Sequence, residues 1–82
     1  MEPYVGQIMM FGGDFTPRGW AKCDGTLLSV SANQTLFSVI GARYGGNGRT
    51  DFALPDFRGL QTDEKQPINY VIAVTGNYPA RD

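Results

Sequence analysis

The chain has 82 residues, room for one small domain, and its 7 basic and 8 acidic side chains leave a formal net charge of -1. So even a balance creates no field to gather nucleic-acid phosphates or anionic lipid, and no segment approaches the ~20 apolar residues of a membrane span. The single cysteine, Cys23, excludes an internal disulfide, and the absence of histidine removes the commonest zinc ligand and the commonest general base.

A chain of this length buries only about 60–65% of the surface it exposes when unfolded. A core that small seldom supplies more than about 3–5 kcal/mol, and with no disulfide to add, homo-oligomerisation is the expected remedy. A hydrophobic fraction of 41% is that of a folded protein, while 11 glycines and 5 prolines imply that much of the chain is turn and loop. Met1-Glu2-Pro3-Tyr4 has neither the basic region nor the apolar run of a Sec signal, so none is expected.

In chain order, Val5-Gly6-Gln7-Ile8-Met9-Met10-Phe11 predicts a strand stopped by the turn Gly12-Gly13-Asp14. Phe15 to Trp20 reads as loop, with Pro17 holding one φ and Gly19 free to take a positive one. Ala21-Lys22-Cys23 and Thr26-Leu27-Leu28 flank Asp24-Gly25, a dipeptide suited to a type I′ hairpin. Residues 31–41 carry helix signals: Ser31 as N-cap with Gln34 three residues on, Leu36, Phe37 and Ile40 on one face, and Gly41 as the stop. From Ala42 to Gln66 neither a period of 2 nor one of 3.6 is sustained, which predicts a long loop. Ile68 to Gly76 predicts the best strand, and Asn77 to Asp82 an extended tail. The expected fold is α+β, mainly β: one small loop-rich domain over 1–82 with short strands, a β-hairpin and one short helix.

The stretch RYGGNGRTDFALPDFRG, residues 43–59, is the first candidate for chemistry, because glycine-rich backbone can cradle phosphate. It lacks the phosphate-loop lysine, follows the helix instead of opening one, and has no third glycine after Gly46-Asn47-Gly48. It reads better as a tight turn. Cys23 has Lys22 and Asp24 as opposed neighbours, so a small buried hydrophobe is expected there rather than a nucleophile. Asp51 and Asp56 could serve as a hydrolytic carboxylate pair, but each adjoins turn residues where Asp bonds its own backbone. Forked bonds from Arg43, Arg49 and Arg58 to these aspartates are expected to pin the loop. No catalytic residue, metal ligand or cofactor is expected. Trp20, Phe37, Ile40, Phe52 and Leu54 are the predicted core, and Asp24-Gly25, Gly45-Gly46 and Pro55-Asp56 the predicted turns.

Gly6-Gln7-Ile8, Pro17-x-Gly19-Trp20-x-x-Cys23-Asp24-Gly25, Leu36-Phe37-x-x-Ile40-Gly41-x-x-Tyr44-Gly45-Gly46 and Phe52-x-Leu54-Pro55-Asp56-Phe57-Arg58-Gly59 occur in that order. Together they resemble the phage tail collar domain family, which includes short tail fibres and the microcystin-dependent proteins. Ile68 to Pro79 is similar to the closing strand of longer members. The resemblance implies a structural protein of a virion tail (fibre, spike or baseplate periphery), usually trimeric, which neighbours other tail proteins and helps hold or present the parts that touch the host. It also implies synthesis in the host cytoplasm without a signal peptide. Longer members insert a large segment before the last strand, and related short fibres bind metal there through histidines. This chain bridges the two with Leu60 to Pro67 and has no histidine, so the resemblance is to the collar alone. A second reading is a carbohydrate-binding adhesin whose candidate contacts to receptor or partner are Arg43, Tyr44, Arg49 and Arg58, with a host-surface glycan as ligand.

Overall fold

The computed structural model describes residues 2–13, 15–60 and 69–80. Asp14 of the predicted turn, most of the 60–67 bridge, Ile68 of the last strand and the final two residues lie outside that range. Five strands and one short helix form an α+β, mostly β architecture of two antiparallel sheets. β1 (Ile8–Phe11), β5 (Asn69–Ala73) and β2 (Trp20–Lys22) make a three-stranded sheet with β5 in the centre, while β3 (Leu27–Ser29) pairs with β4 (Asp51–Ala53).

β5 takes the central place because its β-branched and aromatic residues tolerate burial on both faces. Val71, Ile72 and Ala73 are all buried. Its two faces alternate between neighbours: Ile8 and Ala21 both stand opposite Ile72, and Met9 and Lys22 opposite Val71. Before β1 the chain makes a β-bulge. The Gly6 N–H donates to the Ala73 carbonyl at 2.9 Å and the Ala73 N–H to the Gln7 carbonyl at 2.9 Å, so two residues oppose one. Gly6 adopts φ 89°, and a Cβ there would stand 2.8 Å from Val39 Cγ1 of the helix.

The helix α1 (Gln34–Ile40) starts later than the capping signals predict. Its N-cap is Asn33, without a side-chain bond to the helix, and not Ser31. The Ser29–Asn33 turn uses those polar groups on itself: the Asn33 amide donates to the Ser29 carbonyl at 3.0 Å, and the Ser29 and Ser31 hydroxyls lie 3.0 Å apart. Gly41 ends the helix as expected, donating to the Phe37 carbonyl at 2.7 Å.

The predicted hairpin about Asp24-Gly25 does not form. β2 and β3 belong to different sheets, and here the chain crosses from one to the other. A type I′ turn needs φ > 0 at both central residues. Gly25 has φ 82°, but no non-glycine residue among those described has positive φ. The Asp24 carboxylate instead accepts the Thr26 N–H at 3.1 Å, while the Gly25 N–H donates to Pro55. The long predicted loop is also interrupted: β4 lies inside it, paired with β3 so that Leu28 stands opposite Phe52.

One cluster of Val5, Cys23, Leu36, Ile40, Phe52, Leu54 and Ile72 forms the core, joined by half-buried Phe37, whose ring centre lies 5.2 Å from that of Phe52. Trp20, expected in the core, is only half-buried and stands outside this cluster on β2, opposite Ala73. Its strand neighbour Ala21 takes the inward place because side chains alternate between the faces.

Candidate functional site

The glycine-rich loop is held by its own side chains. The Asn47 carbonyl oxygen accepts N–H groups from Arg49 at 2.7 Å, Thr50 at 2.9 Å and Asp51 at 3.3 Å, and its amide donates to the Thr50 hydroxyl at 2.9 Å. Asp51 returns the contact by accepting the Asn47 N–H at 2.8 Å. These bonds occupy the N–H groups a bound phosphate would need. Gly45-Gly46 turns the chain toward β4, and the Gly45 carbonyl receives the Ala53 N–H at 3.0 Å. At Gly46 φ is 87° and a Cβ would stand 2.5 Å from Phe52 Cα, so the strand passes too close for any other residue. Asn47 is a hub that the sequence reading missed. Its only signal is an Asn between two glycines, the setting in which an Asx side chain bonds the following backbone.

Only one of the expected Arg–Asp forks exists among the described residues. Arg58 donates through Nε to Asp56 Oδ1 at 2.9 Å and through a terminal nitrogen to Oδ2 at 2.7 Å, and its N–H reaches Oδ1 at 3.2 Å. Bonds from this guanidinium and its backbone N–H hold the Asp56 carboxyl down at about 2, and the same pairing raises Arg58. Asp51 spends its carboxylate on Asn47 instead, and Arg43 and Arg49 make no ion pair among the described residues. The competing backbone N–H is already fixed by the turn and costs less side-chain entropy to engage than a long arginine.

Beside this pair, the described residues leave a cleft of about 280 Å³ lined by Lys22, Cys23, Asp24, Phe57, Arg58, Asn69 and Tyr70. β2 supplies Lys22, the crossing between sheets supplies Cys23 and Asp24, and the start of β5 supplies Asn69 and Tyr70. Phe57 and Tyr70 meet edge to face with ring centres 5.5 Å apart. The Thr26 hydroxyl, bonded to Asp24, holds that carboxyl below its usual range. Cys23 is 3% exposed, and burial, with Asp24 adding to it, pushes its thiol up to about 11. It is therefore protonated at neutral pH and a poor nucleophile. No group of His, Cys, Asp or Glu side chains suited to a metal occurs among the described residues. Of the candidate contacts, Arg58 borders the cleft, whereas Arg43, Tyr44 and Arg49 are exposed elsewhere on the loop.

The geometry among the described residues is thus two small sheets joined by a loop bonded to itself. The family model for the Phage Tail Collar Domain matches residues 6–61, from the bulge at Gly6 past the Asp56–Arg58 fork. That is more than half of the chain, and the chain belongs to the Phage Tail Collar Domain family. Its class is thus a structural component of a phage tail. Among curated proteins nothing matches the chain. The family match stops short of β5, although β5 is the strand on which β1 and β2 both pair.

Proposed function

We propose that this chain is a non-enzymatic collar element of a tail fibre, spike or baseplate periphery. It acts in several copies, three in a fibre, that pack against neighbouring tail proteins and help hold or present the parts that meet the host. It is made in the host cytoplasm and leaves within the particle. The observation that carries this reading is the way the motif residues are spent: Asn47, Asp51, Asp56 and Arg58 bond within the loop and its flank, leaving little for a substrate. A core of a few buried side chains supports the use of several copies. Light scattering at low micromolar concentration is expected to give a mass of more than one chain. A well-folded monomer would overturn the proposal.

The cleft favours a second reading, a glycan-binding adhesin, because it combines an aromatic pair with the Asp24 carboxylate and the Arg58 and Lys22 cations. On that reading a glycan array gives signals that Arg58→Ala removes while the fold persists. Signals lost in Tyr44→Ala but retained in Arg58→Ala would place the ligand on the exposed loop instead.

A further inference from the structure

The loop that Asn47 organises also contains a chemically labile dipeptide. Of the asparagines at positions 33, 47, 69 and 77, only Asn47 is followed by glycine. Where no side chain shields the next backbone nitrogen, that nitrogen can attack the asparagine side-chain amide, which is one reason asparagine counts as thermolabile. The step forms a bond from Gly48 N to Asn47 Cγ and breaks the bond from Cγ to Nδ2, and the N–H proton leaves with Nδ2 as ammonia. Water then opens the succinimide on one side or the other. The product is aspartate or, more often, isoaspartate, whose backbone runs through the former side chain.

Asn47 is exposed, so burial does not withhold water from it. Bonding withholds the nucleophile instead. The Gly48 N–H donates to the Asp51 carbonyl at 2.9 Å, so the proton that must be lost is already engaged. The amide is held at both ends, with Oδ1 under the N–H groups of residues 49 to 51 and Nδ2 donating to the Thr50 hydroxyl, while the Asn47 N–H is anchored on Asp51 Oδ1. Drawing Cγ to bonding distance of Gly48 N pulls these groups off their partners. The N–H groups on Oδ1 would steady an oxyanion, an opposing effect. It acts only once the nitrogen has given up its proton and come within reach, so the engaged nucleophile decides the rate.

We infer that Asn47 is a deamidation site held shut by its own loop, and that reaction there makes opening of the loop irreversible. While the loop is closed the amide stays intact. When it opens by local unfolding, cyclisation competes with closing. Isoaspartate adds a methylene to the backbone and takes the side-chain carbonyl out of its place over the three N–H groups. The loop that sets Phe52 opposite Leu28 then cannot re-form as it was. Loss of one ammonia thus turns a reversible fluctuation into a lasting change, which limits how long the domain keeps its shape.

The full chain, incubated at mildly alkaline pH with and without guanidinium chloride, tests this by peptide mapping in a mass spectrometer. Because only the opened fraction reacts, the native chain is expected to deamidate at Asn47 at least about tenfold more slowly than the denatured one. Similar rates in the two states would overturn the inference. Asp24-Gly25 can also yield isoaspartate, but it releases no ammonia, and mapping keeps the two sites apart.

Thr50→Val and Asp51→Ala remove the partners of Asn47 Nδ2 and of its N–H. Both are expected to raise the native rate several-fold and to leave the denatured rate unchanged. An unchanged native rate in both, with the circular dichroism spectrum retained, would show that something other than the loop shields Asn47. Hydrogen exchange of the unaltered chain gives a reading that needs no variant: the Gly48 N–H is expected to be protected, and exchange as fast as in the denatured chain would overturn the mechanism. The isoaspartate form gains a negative charge and separates by ion exchange. Returned to buffer, it is expected to melt at a lower temperature than the intact chain, and equal melting would overturn the irreversibility.

Discussion

At the scale of single residues, the Asp56–Arg58 fork has a definite pH dependence. The Asp56 carboxyl falls from an ordinary 3.8 to about 2 because the Arg58 guanidinium bonds its ionised form. A depressed carboxyl stabilises the fold fully above its unfolded value, and this contribution disappears as pH drops through the folded value. The window is thus from about pH 4 down to about pH 2. Both partners are exposed, so solvent screens the pair and its part in overall stability is small. Carbon-detected NMR titration of the side-chain carboxyl reads it directly. In Arg58→Ala the Asp56 midpoint should move up toward 3.8; an unmoved midpoint would show that something other than the fork holds it down.

At the scale of elements, the loop between α1 and β4 is held by one amide side chain, that of Asn47, in place of a strand ladder. A net hydrogen bond contributes about 0.5–1.5 kcal/mol, and the Asn47 carbonyl is shared by three N–H groups that solvent also reaches. Asn47→Ala is expected to destabilise the domain by about 1–2 kcal/mol in urea unfolding. Asn47→Asp keeps the acceptor and should cost less, although it sets a second carboxylate near Asp51. Equal losses in the two variants would mean that the carbonyl is not what matters. β3 and β4 are only three residues each, and their pairing depends on this loop delivering Phe52 opposite Leu28.

At the scale of the whole molecule, the strand nearest the chain's end organises the sheet that starts near its beginning. β1 and β2 make no pairing with each other and are joined only through β5. Ile72, fully buried, also belongs to the core cluster beneath them. A chain cut after residue 61 retains the family match but loses this centre. Such a fragment is expected to show no cooperative thermal transition by circular dichroism. A cooperative melt would mean that the matched region folds on its own.

Much was legible from local chemistry alone. Positive-φ turns at glycines, the helix stop at Gly41 and the self-bonded aspartates follow from interactions within a few residues, which the order of amino acids settles directly. The motif glycines Gly6, Gly19, Gly25, Gly41, Gly45 and Gly46 belong to the same category, since each takes a positive φ. What required the folded chain was partnership across distance. Asp24-Gly25 reads as a hairpin until β2 finds β5 and β3 finds β4, and Asp51–Ala53 is too short to show an alternation until β3 lies beside it. Likewise Trp20 reads as core by size, but the pairing of β2 turns Ala21 inward. Strand pairing and facing are set by backbone groups that every residue shares, so the side chains in one stretch cannot say which other stretch will meet them.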